Sequence, residues 1–331
     1  MKTLQRKIVF LLLATGFSTV GPFDDASAQA VKIPRVGVLT TLRLDRPTLR
    51  GLRDGLEASD YTIGENLILD MMQRKNLVEL ESVARSFVDN RFDVLVTTST
   101  LETDIARKAT FEIPIVFMPA DDPLRRGFVK SHARPGTNMT GVSRFRDIEA
   151  SGKLLEVFKE LAPNLRSVTL LSDGRGNELL YAAQTSSIRR VATRANIHLT
   201  ENPVRNIEEA LAIVSGLSRG LHHGVLLNCT ALFSDLKSIA SRAKKRGVPM
   251  QGCSTRSVIE DGTLFSYAPD LYHIGRRGAW YVDRILKGAK PQEMPVEAPR
   301  KLEFVINLQT ANTIGLQIPP EVLQRADRVI E

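Results

Sequence analysis

Aromatics, histidines and cysteines are all scarce in this chain, and each shortage removes a class of function. Its 331 residues include one Trp, five Tyr, five His and two Cys. So few large aromatics leave little on which nucleic-acid bases could stack. The 45 basic and 37 acidic side chains, net charge +8, are intermixed rather than gathered into a stripe. A solvated, mildly basic surface follows, and no nucleic-acid partner is expected. His222 and His223 are adjacent and point apart in most backbones, with no Cys or carboxylate at ligand spacing, so no metal site is expected. There is no G-x-S-x-G turn, P-loop or complete dinucleotide fingerprint. Asp121 and Asp122 could serve as an acid–base pair, but they lack a nucleophile or metal to act with. The sequence therefore predicts no catalytic residues, no cofactor and no enzyme.

Long apolar runs are missing as well, except near the start. Lys2, Arg6 and Lys7 precede the apolar stretch Ile8 to Phe17, and the small-residue patterns Ala26-Ser27-Ala28 and Ala28-Gln29-Ala30 follow. This is the layout of a secretory signal peptide over residues 1–30. No later segment approaches the ~20 apolar residues of a membrane span. The mature chain is expected to begin near Gln29 or Val31 and to reside in the periplasm.

The remaining sequence is ordinary globular material, 43% hydrophobic and 25% charged, with length enough for about two domains. Its most informative stretch runs from Asp93 to Pro123. A short β-branched run, Val94 to Val96, breaks into Thr97, Thr98, Ser99 and Thr100, and a helical pattern extends from Leu101 to Ala109. A second apolar run, Ile115 to Phe117, ends in Ala120, Asp121, Asp122 and Pro123. Short apolar strands separated by a helix predict a parallel sheet buried on both faces. Ligands of such sheets lie beyond the carboxyl ends of the strands, where this chain places hydroxyls and carboxylates. The same residues are also good helix caps and turn formers.

Similar units precede and follow. Arg35 to Thr40 and Leu67 to Met71 read as strands, Pro47 to Ala58 and Leu77 to Asn90 as helices. The turn-rich segment from Gly127 to Val142 marks a boundary, after which the alternation resumes from Ile148 to Gln251. Thr263 to Tyr267 and Glu303 to Asn307 read as strands flanking a helix from Leu271 to Leu286, and the chain closes in a turn after Pro320. Cys229 and Cys253 each follow a predicted strand. In an exported protein an even count permits a disulfide, and two partly buried thiols are the alternative.

The carboxyl-terminal third carries a more specific pattern. Gly262-Thr263-Leu264-Phe265-Ser266-Tyr267-Ala268-Pro269-Asp270-Leu271 leads to Tyr281-Val282-Asp283-Arg284-Ile285-Leu286-Lys287-Gly288, then Met294-Pro295-Val296-Glu297 and Phe304-Val305-Ile306-Asn307. With Ile113-Pro114-Ile115-Val116-Phe117 and Arg134-Pro135-Gly136-Thr137-Asn138 earlier, this order resembles the ABC-transporter substrate-binding protein family whose better-known members serve tryptophan and tyrosine uptake. The resemblance spans about Pro34 to Glu331. It implies an α/β, two-lobed periplasmic-binding-protein-like fold of type I. Each lobe is then a parallel sheet flanked by helices, and three hinge crossings join the two. Residues 31–140 with about 267–300 would form lobe 1, and 141–266 with about 301–331 lobe 2. The crossings are expected at Thr140 to Val142, Ser266 to Ala268, and Pro295 to Arg300.

The implied function is capture of a small polar ligand, an amino acid or related molecule, and its delivery to an ABC permease in the inner membrane. The protein itself is expected to be a monomer. A periplasmic sensing module for a signalling partner would use the same fold. A zwitterion requires donors for its carboxylate and an acceptor for its ammonium. Thr98, Ser99 and Thr100 stand at a predicted helix amino terminus, which favours an anion, and Asp121 would face the ammonium. Thr40 and Thr41 after the first strand, Asn228 at a strand end and Tyr267 at a crossing complete the expected contacts. Relatives often carry Gly at Thr97 to Ser99 and at Asp121, so a smaller or more polar pocket is expected here.

Overall fold

A computed structural model describes residues 32–331 except 42, 45, 75, 144–147, 175–177, 230 and 234–235. The expected signal peptide lies outside the described residues. The first half alternates strand and helix: β1 Arg35–Thr40, α1 Pro47–Glu57, β2 Ile68–Gln73, α2 Leu77–Asp89, β3 Val94–Thr97, α3 Thr100–Ala109, β4 Ile115–Ala120 and β5 Met139–Ser143. The strands form one parallel sheet in the order β2-β1-β3-β4-β5. Its central strands β3 and β4 are buried along their whole length, which is why they read as unbroken apolar runs.

The second half continues with α4 Ile148–Leu161, β6 Ser167–Asp173, α5 Glu178–Arg194, β7 His198–Val204, α6 Ile207–Gly216, β8 His223–Leu227, α7 Lys237–Lys245, β9 Gln251–Gly252, α8 Thr255–Ile259 and β10 Phe265–Pro269. After these come α9 Leu271–Leu286, β11 Leu302–Asn307, α10 Leu308–Ile314, α11 Pro320–Gln324 and β12 Arg328–Ile330. Strands β7-β6-β8 and β9-β10-β11-β12 are joined by the bridge Val225 to Met250 into one run of strands. All described pairs in it are parallel except β10 with β11. Three elements here are absent from the reading of the sequence. Helix α8 is capped by Ser254 and Ser257, and what reads as a closing turn holds α11 and β12.

Each sheet has its own core. Val36, Val38, Leu52, Leu56 and Val96 cluster with Ile274, Val282 and Ile285 of α9, so this late helix packs on the first sheet. Its approach to α1 is close: a Cβ on Gly51 would lie 2.1 Å from the Tyr272 carbonyl oxygen, and one on Gly275 1.9 Å from that of Thr48. Leu155, Phe158, Leu170, Phe265, Phe304 and Ile306 form a core of the second sheet.

The chain passes between the sheets three times: after β5, between β10 and α9, and between Glu297 and β11. Thr140 to Val142 lie within β5 and Ser266 to Ala268 within β10, both paired in their sheets, so the first passage begins beyond Ser143 and the second beyond Pro269 rather than at 267. The passages are bound to one another. The Ser143 amide donates to the Glu297 carbonyl at 2.8 Å, and the Glu297 amide donates to Gly141 at 3.1 Å. Asp270 donates its amide to the Lys301 carbonyl at 3.0 Å, and their side chains pair at 3.2 Å. Arg277 of α9 forks onto the Glu297 carboxylate and lies 3.7 Å over the Trp280 ring.

Candidate ligand-binding site

Parallel pairing brings the carboxyl ends of β1, β3, β4 and β5 to one edge of the first sheet. Leu39 lies beside Thr97, Thr97 beside Phe117, and Ala120 beside Ser143. Thr40, Thr41, Thr98, Ser99, Thr100 and Asp121 are therefore gathered as the sequence suggested, but in two bonded groups. In the first, the Thr40 and Thr98 hydroxyls are 2.8 Å apart, and Thr98 donates to Glu102 Oε2 at 3.1 Å. Thr41 donates to Glu102 Oε1 twice, through its amide at 2.6 Å and its hydroxyl at 2.7 Å. In the second, the Asp121 amide donates to the Thr100 hydroxyl at 2.8 Å, and that hydroxyl donates to Asp121 Oδ2 at 3.1 Å.

Burial separates the supports from the exposed surface. Thr40, Thr98 and Glu102 are buried, whereas Thr41, Ser99 and Thr100 are half-buried and Asp121 is exposed. Ser99 is the N-cap residue of α3, yet its side chain makes no capping bond. The helix therefore starts with donors that no side chain at that position satisfies. Thr97 and Thr103 support this corner from beneath: their hydroxyls are 2.7 Å apart, and Thr103 donates to the Ser99 carbonyl at 2.7 Å.

Asn228 and Tyr267 belong to the other sheet. Asn228 is buried just beyond β8, its amide bound to the Leu171 carbonyl of β6 at 2.9 Å. Tyr267 stands in β10 opposite Phe304, the two rings edge to face at 5.9 Å, and packs against the second-sheet core. Between them Cys229 and Cys253 form a disulfide with Cα atoms 5.4 Å apart, tying the end of β8 to the end of β9. Beyond β9, Glu260 at the end of α8 pairs with Arg46, the N-cap residue of α1, at 3.8 Å. Since Arg46 follows β1 and Glu260 follows β9, this contact joins the carboxyl-end sides of the two sheets.

Reading the sequence missed Glu102, Arg46 and Glu260. Ser99 to Glu102 carries the S-x-x-E spacing of a capping box, a usable signal that Glu102 had a polar task. Its partner, however, is Thr41 of another strand end. Nothing in the local sequence marks Arg46 and Glu260, which meet only through the fold.

Two α/β lobes with carboxyl ends turned to a common side and three bonded crossings define a periplasmic-binding-protein-like fold of type I. The chain matches the ABC transporter substrate binding protein family over residues 41–330 and belongs to it. It is 24% identical over 269 residues to the tyrosine-binding protein of Clostridioides difficile, covering 81% of this chain and 76% of that one. Among solved structures, a conserved domain protein from Vibrio cholerae is 30% identical with a TM-score of 0.74, covering 90% of this chain and all (100%) of that one. An ABC domain from Streptococcus pneumoniae in complex with L-Trp is 23% identical with a TM-score of 0.75, at 90% and 100% coverage.

Proposed function

We propose that this substrate-binding protein captures an amino acid between its lobes, outside the cytoplasm, and delivers it to an ABC permease in the membrane. The observation that carries this reading is the first-sheet edge. There the uncapped amino terminus of α3 and the Ser99 hydroxyl offer donors, while Asp121, held by Thr100, offers an acceptor. An α-amino acid presents a carboxylate and an ammonium on one carbon, and this edge has a place for each. Helix amino termini favour anions, and charge-assisted bonds are roughly twice as strong as neutral ones. Asn228 and Tyr267 would contribute from the second lobe, and residues 1–30 would direct export.

The names of the relatives narrow the ligand class. A tyrosine-binding protein and a domain holding L-Trp are both similar to this chain, so aromatic amino acids are the first ligands to test. Several charge-assisted bonds in a closing cleft suffice for micromolar binding, about −8 kcal/mol. Closure then follows from the ligand's preference for the closed state.

The test is calorimetric titration of the mature protein with L-tryptophan, L-tyrosine and the remaining common amino acids, for wild type and Asp121→Ala. At least one amino acid should bind wild type, and D121A should weaken it tenfold or more. Failure of every amino acid to bind would refute the proposal. Unchanged binding by D121A would move the ammonium elsewhere.

A further inference from the structure

We infer that the outer face of α9 is a membrane-surface contact, which holds this protein against anionic phospholipid headgroups. The inference goes beyond the amino-acid reading, because this face includes none of the proposed ligand contacts.

The face is one helical stripe. His273, Arg276, Trp280 and Arg284, with Lys287 just past the helix end, recur at spacings of three and four residues and are all exposed. Ile274, Val282 and Ile285 of the same helix are buried in the first core. At 1.5 Å per residue the stripe is about 21 Å long. Helix α1, packed against α9 through Gly51 and Gly275, carries the exposed Arg50 and Arg53.

Charge pairing separates this face from other helices of the molecule. There, exposed arginines are matched by acids: Arg85 by Glu81, Arg189 by Glu201, Arg194 by Glu156 and Arg205 by Glu209. Among the described residues, Arg50, Arg53, Arg276 and Arg284 have no ion pair. The acids near them are already engaged. Asp283 is buried and paired with Lys287 at 2.6 Å, Asp54 accepts from the Tyr272 hydroxyl at 2.7 Å, and Glu297 is shared by Arg277 and Arg300. Glu57 is the remaining acid on the two helices and is exposed. Four guanidiniums therefore keep their charge and their donors for a partner.

An anionic bilayer fits this chemistry. Guanidinium forks match phosphate oxygens bidentately, and basic side chains are drawn to anionic headgroups. Trp favours the headgroup level, where its ring and its N–H are both accommodated. Trp280 is the chain's single Trp; it is 39% exposed at the middle of the stripe, with Arg277 3.7 Å over its ring. No described helix is long and apolar enough to cross a membrane, so contact between the described residues and a bilayer is made at its surface. A straight stripe along one helix meets a plane over its whole length. On the delivery reading, such attachment confines the receptor to the plane in which its permease lies.

The single Trp makes the test direct. The mature protein is mixed with vesicles of equal phosphatidylglycerol and phosphatidylcholine, or of phosphatidylcholine alone, at low salt and at about 0.5 M salt. Binding is read by co-sedimentation and by Trp280 emission. The variants are Arg276→Gln with Arg284→Gln and a charge-matched control, Arg189→Gln with Arg205→Gln, each also followed by thermal unfolding and by calorimetric titration with amino acids. Wild type should sediment with the anionic vesicles only, with its emission shifted to the blue, and high salt should release it. A basic side chain near an anionic surface contributes about fivefold. R276Q/R284Q should accordingly bind about tenfold to thirtyfold more weakly, and the control within about threefold of wild type. Amino-acid affinity should be unchanged in both.

No sedimentation of wild type with anionic vesicles, or sedimentation with unchanged Trp280 emission, overturns the inference, as does an equal loss in the control. Binding to soluble polyglutamate without binding to vesicles also overturns it and assigns the stripe to an acidic protein surface. If R276Q/R284Q fails to fold, Arg50→Gln with Arg284→Gln decides by the same thresholds. Vesicle binding by a protein that takes up no amino acid would strike the ligand reading and leave this inference standing.

Discussion

Removal of the Cys229–Cys253 bridge offers a direct measure of how the second lobe is held together. The cysteines are 24 residues apart in sequence, and closing a loop of that length removes about 3.5 kcal/mol of unfolded-chain entropy at 25 °C. The loop holds α7, whose Ile239, Ala240 and Ala243 lie in a core with Leu227, Val248 and Met250. The folded state without the bridge thus keeps its packing, and the loss falls mainly on the unfolded state. At roughly 2–4 °C per kcal/mol for a chain of this size, the double variant Cys229→Ser, Cys253→Ser should melt about 7–14 °C lower. Affinity for an amino acid should change by less than about threefold, because Asn228 remains tied to Leu171 through its amide. Calorimetric unfolding reads the first quantity and titration the second. A melting temperature within about 1 °C of wild type would refute the loop-entropy argument. A preserved melting temperature with lost binding would show that the bridge shapes the site instead.

Three further outcomes follow from particular contacts. Gly51→Ala should cost about 1–3 kcal/mol in urea unfolding, because the new methyl would sit 2.1 Å from the backbone oxygen of Tyr272 and force α1 away from α9; an unchanged urea midpoint would show that the two helices can separate freely. His223 has its pKa lowered from the ordinary 6.5 by burial and by the charge of His198, so the associated stability is full above about pH 6.5 and is lost as pH falls through the depressed folded value. Denaturant midpoints should therefore drop between pH 7.5 and 5, with a smaller drop in His223→Gln, and equal slopes in the two proteins would remove His223 as the cause. Glu260→Gln should weaken ligand binding by no more than about fivefold at low salt and hardly at all at 0.5 M salt, since exposed ion pairs contribute ~0–1 kcal/mol; a salt-independent loss would mean that Glu260 acts by something other than its ion pairs with Arg46 and Arg256.

Much of the architecture is legible before folding because burial on both faces leaves a local mark. Val94 to Val96 is apolar and followed at once by hydroxyls, and the apolar stretch from Ile115 runs through Ala120 to Asp121, so strand, strand end and candidate wall can be read together. The short elements are harder. Strand β12 has only Arg328, Val329 and Ile330 and gains its identity by pairing with Val305 to Asn307. Helix α8 has five residues and depends on the reciprocal Ser254–Ser257 cap. Neither is long enough for a period to show. The placement of α9 on the first lobe is visible only in packing, where Gly275 and Gly51 allow two helices to touch backbone to backbone.

The site itself divides along the same line, between what a residue type reveals and what its partner determines. Thr98, Ser99, Thr100 and Asp121 advertise polar chemistry by type and by position at strand ends. What a hydroxyl can offer depends on where its proton goes: for Thr41 and Thr98 that is Glu102, 61 residues from Thr41 in sequence, and for Thr100 it is Asp121. Glu102 sits on α3 one turn beyond Ser99, where sequence spacing suggests that it folds back to cap its own helix. The structure has it reach sideways instead, to a threonine on β1's exit loop, and leaves the helix start open. With Glu102 bonded to Thr41, the α3 start is left without a side-chain cap, and on the proposed reading its donors serve the ligand carboxylate.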